Sequence, residues 1–178
     1  MSSPNPIELL EDRIKFKFFA VDEKLQQLKR LDSSIVTLDA EARVKWEILT
    51  EDLLAHLVGA IDALLAKINE KFGFGLKRPD LNNLKDKLRS RQKSDLLKEV
   101  CDLLDRDLYP DGSWLTDLYE LRNIGMHRSI LNLGHNAGNA QKTFVGDKSG
   151  LDVNTFLQDR IQKMKDLIKF IIDKDPLL

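Results

Sequence analysis

The chain has 178 residues, 42% of them hydrophobic and 32% charged, which is enough to bury one sizeable core and shows no composition break marking a second domain. A formal net charge of −1 excludes attraction to nucleic acid through the overall field, so any such role falls to a local patch. The expectation is a single all-α domain over residues 1–178.

Taken in chain order, Met-Ser-Ser-Pro-Asn-Pro has neither the cationic start nor the apolar centre of a signal peptide. No apolar run approaches the roughly 20 residues of a membrane span, so a soluble, cytoplasmic protein without membrane contact is expected. Asn5 can cap a helix with Pro6 in its first position, and Leu10, Ile14, Phe18, Val21, Leu25 and Leu28 recur at spacings of three and four. That spacing predicts a first amphipathic helix over residues 6–30, ending before Leu31-Asp-Ser-Ser. A longer second helix is predicted from near Leu38 to Phe72, with Ile48, Leu53, Leu57, Ile61, Leu64, Leu65 and Ile68 in a wide apolar stripe. Gly59, Ala60 and Ala63 on it would let a neighbouring backbone approach closely, and Gly73-Phe-Gly75 ends it.

Pro79-Asp80 offers a helix start before Leu81, Leu84 and Leu88, and Ser94 is expected to cap a further helix through Leu97, Val100, Cys101 and Leu104. Cys101, the one cysteine, excludes an internal disulfide framework and reads as a buried apolar thiol. Lys77, Arg78, Lys85, Lys87, Arg89, Arg91 and Lys93 stand against only Asp80 and Asp86, a basic stretch that reads either as a solvated helix face or as a polyanion surface. Tyr109-Pro-Asp-Gly112 is a turn signal, after which Ser113 can cap a helix with Leu115, Leu118, Leu121 and either Ile124 or Gly125 inward. From Leu133 to Leu151 the chain turns polar and glycine-rich, and Lys142-Thr-Phe-Val145 suggests a strand of a small β-hairpin near 141–146. A last helix is predicted near Val153 to Asp173, with Phe156 or Leu157, Ile161, Met164, Ile168 and Ile171 on one face and Pro176 barring continuation. Two long early helices and two later ones predict an antiparallel four-helix bundle with short extra helices.

The residues suited to chemistry stand in Leu121-Arg-Asn-Ile-Gly-Met-His-Arg-Ser129. On a helix Tyr119, Asn123 and His127 line up at spacings of four, with Arg122 on the flank beside Tyr119. A histidine near a helix C-terminus has its protonated form favoured by the macrodipole. A permanent cation, an amide and an imidazole within two turns suit a phosphodiester better than a carbonyl.

These residues resemble the HEPN superfamily, whose members carry Arg, a polar residue, a few variable positions and His near the end of a late helix of a bundle. Arg122, Asn123 and His127 match in type, order and place, and the resemblance spans the bundle from Ile7 to Asp173. A second Arg-to-His spacing, Arg128 to His135, straddles a predicted loop and lacks the Asn, and is set aside as coincidence. What the resemblance implies is a homodimer in which the motif helices meet, and metal-independent endoribonuclease activity needing no cofactor. His127 would then serve as acid and base, Arg122 would hold the phosphate charge, and Asn123 would orient the imidazole or bond the phosphate. Tyr119, Arg128, Lys77, Arg78, Lys85 and Arg89 are the expected RNA contacts. The family also suggests a stress, defence or toxin–antitoxin setting. Some HEPN toxins carry a tyrosine two positions after the histidine that a partner nucleotidyltransferase modifies; Ser129 stands there, which speaks against AMPylation-type control by an antitoxin. The competing reading is a non-catalytic HEPN-like module that binds a nucleotide, RNA or protein through the same cleft. A third is a bundle whose functional surface is the basic stretch.

Elsewhere, His56 reads as a packed helix histidine that still has the option of approaching His127. Glu51, Asp52 and His56 lack a second matching motif for a metal, so no metal site is expected. Asp62 reads as a solvent-edge carboxylate with a buttress of Arg122 as the other option, and Trp46 and Trp114 read as core anchors rather than stacking platforms.

Overall fold

The computed structural model describes residues 12–34, 40–128, 133–135, 142–144, 152–175 and 178, with side chains at all of these but 32–34, 40, 124–128, 133–135 and 142–144. These residues form α1 (Arg13–Ser34), α2 (Ala40–Lys71), α3 (Leu81–Ser90), a 3-10 turn at Ser94–Leu97, α4 (Lys98–Leu103), α5 (Trp114–Arg128) and α6 (Val153–Asp173). A short antiparallel pair, β1 (Leu133–His135) with β2 (Lys142–Phe144), matches Leu133 to Phe144 and His135 to Lys142. The expected strand over Lys142 to Val145 is therefore described as far as Phe144. Among the described residues no helix is long and apolar enough to cross a membrane.

Because Ile14, Val21, Leu25 and Leu28 fall on one face of α1, that face is buried, with Phe18 packed at its edge. It lies along α2, and the two helices run antiparallel: Phe16 meets His56, Lys24 binds Asp52 at 2.6 Å, and Leu31 reaches Leu49 across a shared groove. The α2 stripe is wider than its leucine spacing predicts. Trp46, Leu53, Leu54, Leu57, Val58, Ala60, Ile61, Leu64, Leu65 and Ile68 are all buried, because α2 is covered by α1, α3, α5 and α6. Among the residues expected in that stripe, Ile48 is instead 53% exposed and lines the groove with Leu31 and Leu49.

Helix ends follow local chemistry where a side chain caps them. Asp80 accepts the Asn83 N–H at 2.8 Å to start α3, and Asp152 accepts from Asn154 and Thr155 to start α6. Gly73 (φ +63°) and Gly75 (φ +67°) turn the chain after α2, and Asn69 clasps the returning strand by accepting from the Leu76 N–H and donating to its carbonyl, both at 3.0 Å.

Two boundaries differ from expectation. α1 continues past Leu28 to Ser34 rather than ending near residue 30, because Leu31 still finds the α2 surface. Ser94 does not cap: it opens the 3-10 turn with no side-chain bond, and α4 starts only at Lys98, since Leu96 and Leu97 are both drawn into the core. The Asn5–Pro6 start, Leu10, Leu38, Val145 and Pro176 lie outside the described residues. Trp46 is fully buried, and Trp114 packs half-buried against the core.

Candidate functional site

α5 is fixed at its start. The turn brings the Gly112 N–H to the Tyr109 carbonyl at 2.9 Å, with Gly112 at φ +86°. Ser113 is buried, donates to the Leu103 carbonyl and accepts from the N–H groups of Leu115 (3.1 Å) and Thr116 (3.3 Å). The cap thus ties the helix start to the end of α4. Leu115 and Leu118 are buried and Leu121 is partly so, which rotates Tyr119 and Arg122 to the flank of the buried stripe and Asn123 to the outside.

Arg122 is half-buried, its guanidinium carbon 5.5 Å from the Tyr119 ring centre, and its Nε is buried with no hydrogen-bond partner among the described residues. A buried N–H donor without an acceptor costs about 1–3 kcal/mol, so such a group in a native fold calls for a reason. Tyr119 shows the same low-polarity setting. Burial, and then the negative charge of Asp62, push its phenol up to about 12, with the Arg122 cation pulling the other way. Asp62 itself is exposed, as a solvent-edge carboxylate should be, yet its charge acts on Tyr119 from α2.

His56 lies two turns earlier on α2 and faces α1. Its ring meets Phe16 edge-on, with centroids 6.2 Å apart and planes at 81°, and its Nδ1 is buried without a partner. Burial first and the Lys17 charge second hold its pKa below the ordinary histidine value, with Asp52 opposing and Lys24 adding to the depression. His56 is accordingly a packed, half-buried histidine. Asp52 is engaged by Lys24.

Positions 127 and 128 are the last two of α5, so the backbone at 127 belongs to its final turn, where the macrodipole favours a cation. The side chains of His127 and Arg128, and any approach of His56 to His127, lie outside the described residues. The Arg128 to His135 spacing runs from the end of α5 to the end of β1.

The other expected RNA contacts form a separate group. Lys77 and Arg78 are exposed in the bend before α3, while Lys85 and Arg89, one turn apart on α3, line a cleft of about 210 Å³ with Ser94, Asp95, Lys98 and Cys101. That cleft is built from α3, the 3-10 turn and α4 and shares no residue with the surroundings of Arg122 described above. Lys93 is withdrawn from it by the buried Asp175, 2.5 Å away. Cys101 is half-buried, and burial pushes its thiol up, away from reactivity.

A feature without a sequence motif adjoins the Arg122 surroundings. A cleft of about 640 Å³ opens between the start of α1 and the later half of α2, with Ile14, Ala63 and Ala66 as its apolar part and five cations against three carboxylates around it. Lys17 is half-buried within it, and Asp62 forms part of its wall. Gly59 was legible as a small residue, but the atoms close to it belong to the Lys17 side chain rather than to a neighbouring backbone. Compared with known protein families, curated proteins and solved structures, the chain matches none.

Proposed function

We propose that this protein is a metal-independent endoribonuclease of the HEPN kind, in which α1, α2, α5 and α6 make an antiparallel four-helix bundle and two copies meet along α5. The observation that carries this reading is the guanidinium of Arg122, half-buried with an Nε–H that has no acceptor among the described residues, next to the exposed amide of Asn123 and five residues before His127. An anion is the group that would complete such a donor, and a planar guanidinium matches phosphate oxygens.

On an α-helix five residues advance roughly 7.5 Å along the axis and about 140° around it, so positions 122 and 127 of one copy sit on different faces. A pair of copies meeting along α5 lets the cation of one serve the imidazole of the other. In the reaction, His127 takes the proton from a ribose 2′-hydroxyl, and the 2′-oxygen attacks the adjacent phosphorus. The bond to the 5′-oxygen then breaks, and that oxygen leaves with a proton returned by imidazolium. The products are a 2′,3′-cyclic phosphate and a 5′-hydroxyl. Arg122 holds the charge that builds on the non-bridging oxygens, and Asn123 orients the imidazole or bonds the phosphate.

The test is incubation of purified protein with single-stranded and loop-containing RNAs in EDTA, beside Arg122→Ala and His127→Ala. Cleavage with cyclic-phosphate ends that falls at least ~100-fold in both variants is the expected result. Absence of cleavage by the unaltered protein across diverse RNAs would end the catalytic reading and leave a binding module.

A further inference from the structure

We infer that the cleft between α1 and α2 is a nucleotide-phosphate site with Lys17 as its anion-binding group, running into the Arg122 surroundings along α2. The geometry begins at Gly59. A Cβ placed there would stand 3.0 Å from Lys17 Nζ and 3.1 Å from its Cε, so the end of the lysine lies close over Gly59 and a side chain there would push it aside by a few tenths of an ångström. The lysine is half-buried as a residue, and among the described residues its ammonium has no hydrogen bond or ion pair, although Asp12 and Asp62 line the same cleft. A lysine lying against the protein surface of a cleft with no counter-charge bonded to it is free to take an anion. An anion supplied from outside completes it.

The cleft has the size and lining for such a ligand. Its volume of about 640 Å³ falls within the usual range for small-molecule sites, and its lining carries more cations than carboxylates. Ala63 and Ala66 give a flat apolar strip for a sugar edge or a base face, with the phosphate toward Lys17. Continuity with Arg122 follows from helix geometry. His56, Gly59 and Asp62 recur every third residue of α2, a row that drifts around the helix and so passes from the α1 side, where His56 meets Phe16, to Tyr119 on α5, which feels the Asp62 charge. The RNA reading above supplies the identity of the ligand, a nucleotide unit beside the scissile one; the site itself stands on Lys17, Gly59 and the cleft.

Three variants test it by fluorescence anisotropy with a labelled RNA 8-mer and by competition with 5′-AMP, at two salt concentrations, with thermal melts as the folding control. Lys17→Met keeps the stem over Gly59 and removes the charge; Gly59→Ala shifts the ammonium by a few tenths of an ångström without touching any charge; Lys17→Arg restores a cation. The expected result is roughly tenfold weaker RNA binding in Lys17→Met, a smaller loss in Gly59→Ala, rescue in Lys17→Arg, and a salt dependence about one ion shallower in Lys17→Met. Competition by 5′-AMP assigns the site to a free nucleotide, and its failure beside strong 8-mer binding assigns it to the strand; either result agrees with the proposal. Equal RNA affinity in all variants, or no binding of either probe by the unaltered protein, overturns it. Binding that depends on Lys17 in a protein that cuts no RNA keeps this site and removes the nuclease reading, whereas Arg122-dependent cleavage unaffected by Lys17→Met does the reverse.

Discussion

Arg122→Met separates a guanidinium that serves the fold from one held for a ligand. Methionine keeps an unbranched stem of similar length over Tyr119 and removes the charge and the N–H donors. Two quantities oppose each other in the free protein. The Nε–H, buried without an acceptor among the described residues, costs about 1–3 kcal/mol, which the substitution relieves. The contact of the guanidinium with the Tyr119 ring at 5.5 Å contributes about 1 kcal/mol in a partly desolvated setting, which the substitution loses. The balance is a variant as stable as the parent or more stable by up to about 2 kcal/mol, and each kcal/mol raises Tm by about 2–4 °C for a chain of this size. Thermal melts by circular dichroism read it, repeated with added inorganic phosphate. Phosphate should raise the Tm of the unaltered protein more than that of Arg122→Met, since a ligand that binds only the folded form stabilises by mass action. A Tm lowered by 4 °C or more in phosphate-free buffer would show that the guanidinium holds the helices together, and the case for a vacant anion donor would fall with it.

Tyr119 offers a pH test. Its folded pKa of about 12 lies above the ordinary 10, so the folded state holds the proton more tightly: the stabilisation is complete below pH 10 and is lost as pH rises toward 12. A tyrosinate absorbance step near pH 12 should vanish in Tyr119→Phe, and urea midpoints of that variant should fall less between pH 10 and 12 than those of the parent. His56 has the opposite sign. Its pKa is depressed, so stability is complete above 6.5 and is lost as pH falls through the lowered value, and its ring-proton NMR midpoint should rise in Lys17→Met, which removes the second-largest cause. Cys101, its thiol pushed up by burial, should react with iodoacetamide at pH 8 far more slowly in the folded chain than in urea. Gly75→Ala should cost about 1–2 kcal/mol in urea unfolding from its φ of +67° alone, because a Cβ there meets nothing within 4 Å.

What could be read from sequence tracks how local the cause is. α6 was legible from end to end, since Asp152 caps it through its own neighbours and the inward residues Ile161, Met164, Ile168 and Ile171 repeat at helical spacing. Ser113 was legible for the same reason: its acceptor role spans two and three residues. The end of α1 was not, because Leu31 stays helical for the sake of Leu49 on another helix. Ser94 looked like a cap, but the burial of both Leu96 and Leu97 fixes a tighter turn that leaves it exposed and unbonded. At the candidate site the Arg122, Asn123 and His127 pattern was visible as spacing. Lys17 was not, since its meaning depends on Gly59, 42 positions away and brought beside it only by the antiparallel pairing of α1 with α2.

The two positively charged regions differ in a way that assigns them different work. Lys77, Arg78, Lys85, Lys87 and Arg89 are exposed, so their fields are damped beyond about 10 Å at 0.1 M salt, and they can steer a polyanion toward the protein without fixing where any phosphate rests. Arg122 and Lys17 are half-buried, each lying against a specific neighbour, the Tyr119 ring in one case and Gly59 in the other. Charges in that setting are screened less and cost less to order when a ligand arrives, because their side chains are already positioned. If the proposed RNA reading holds, affinity that survives physiological salt has to come from the α1, α2 and α5 side of the molecule, and the basic stretch on α3 would set how fast a strand arrives.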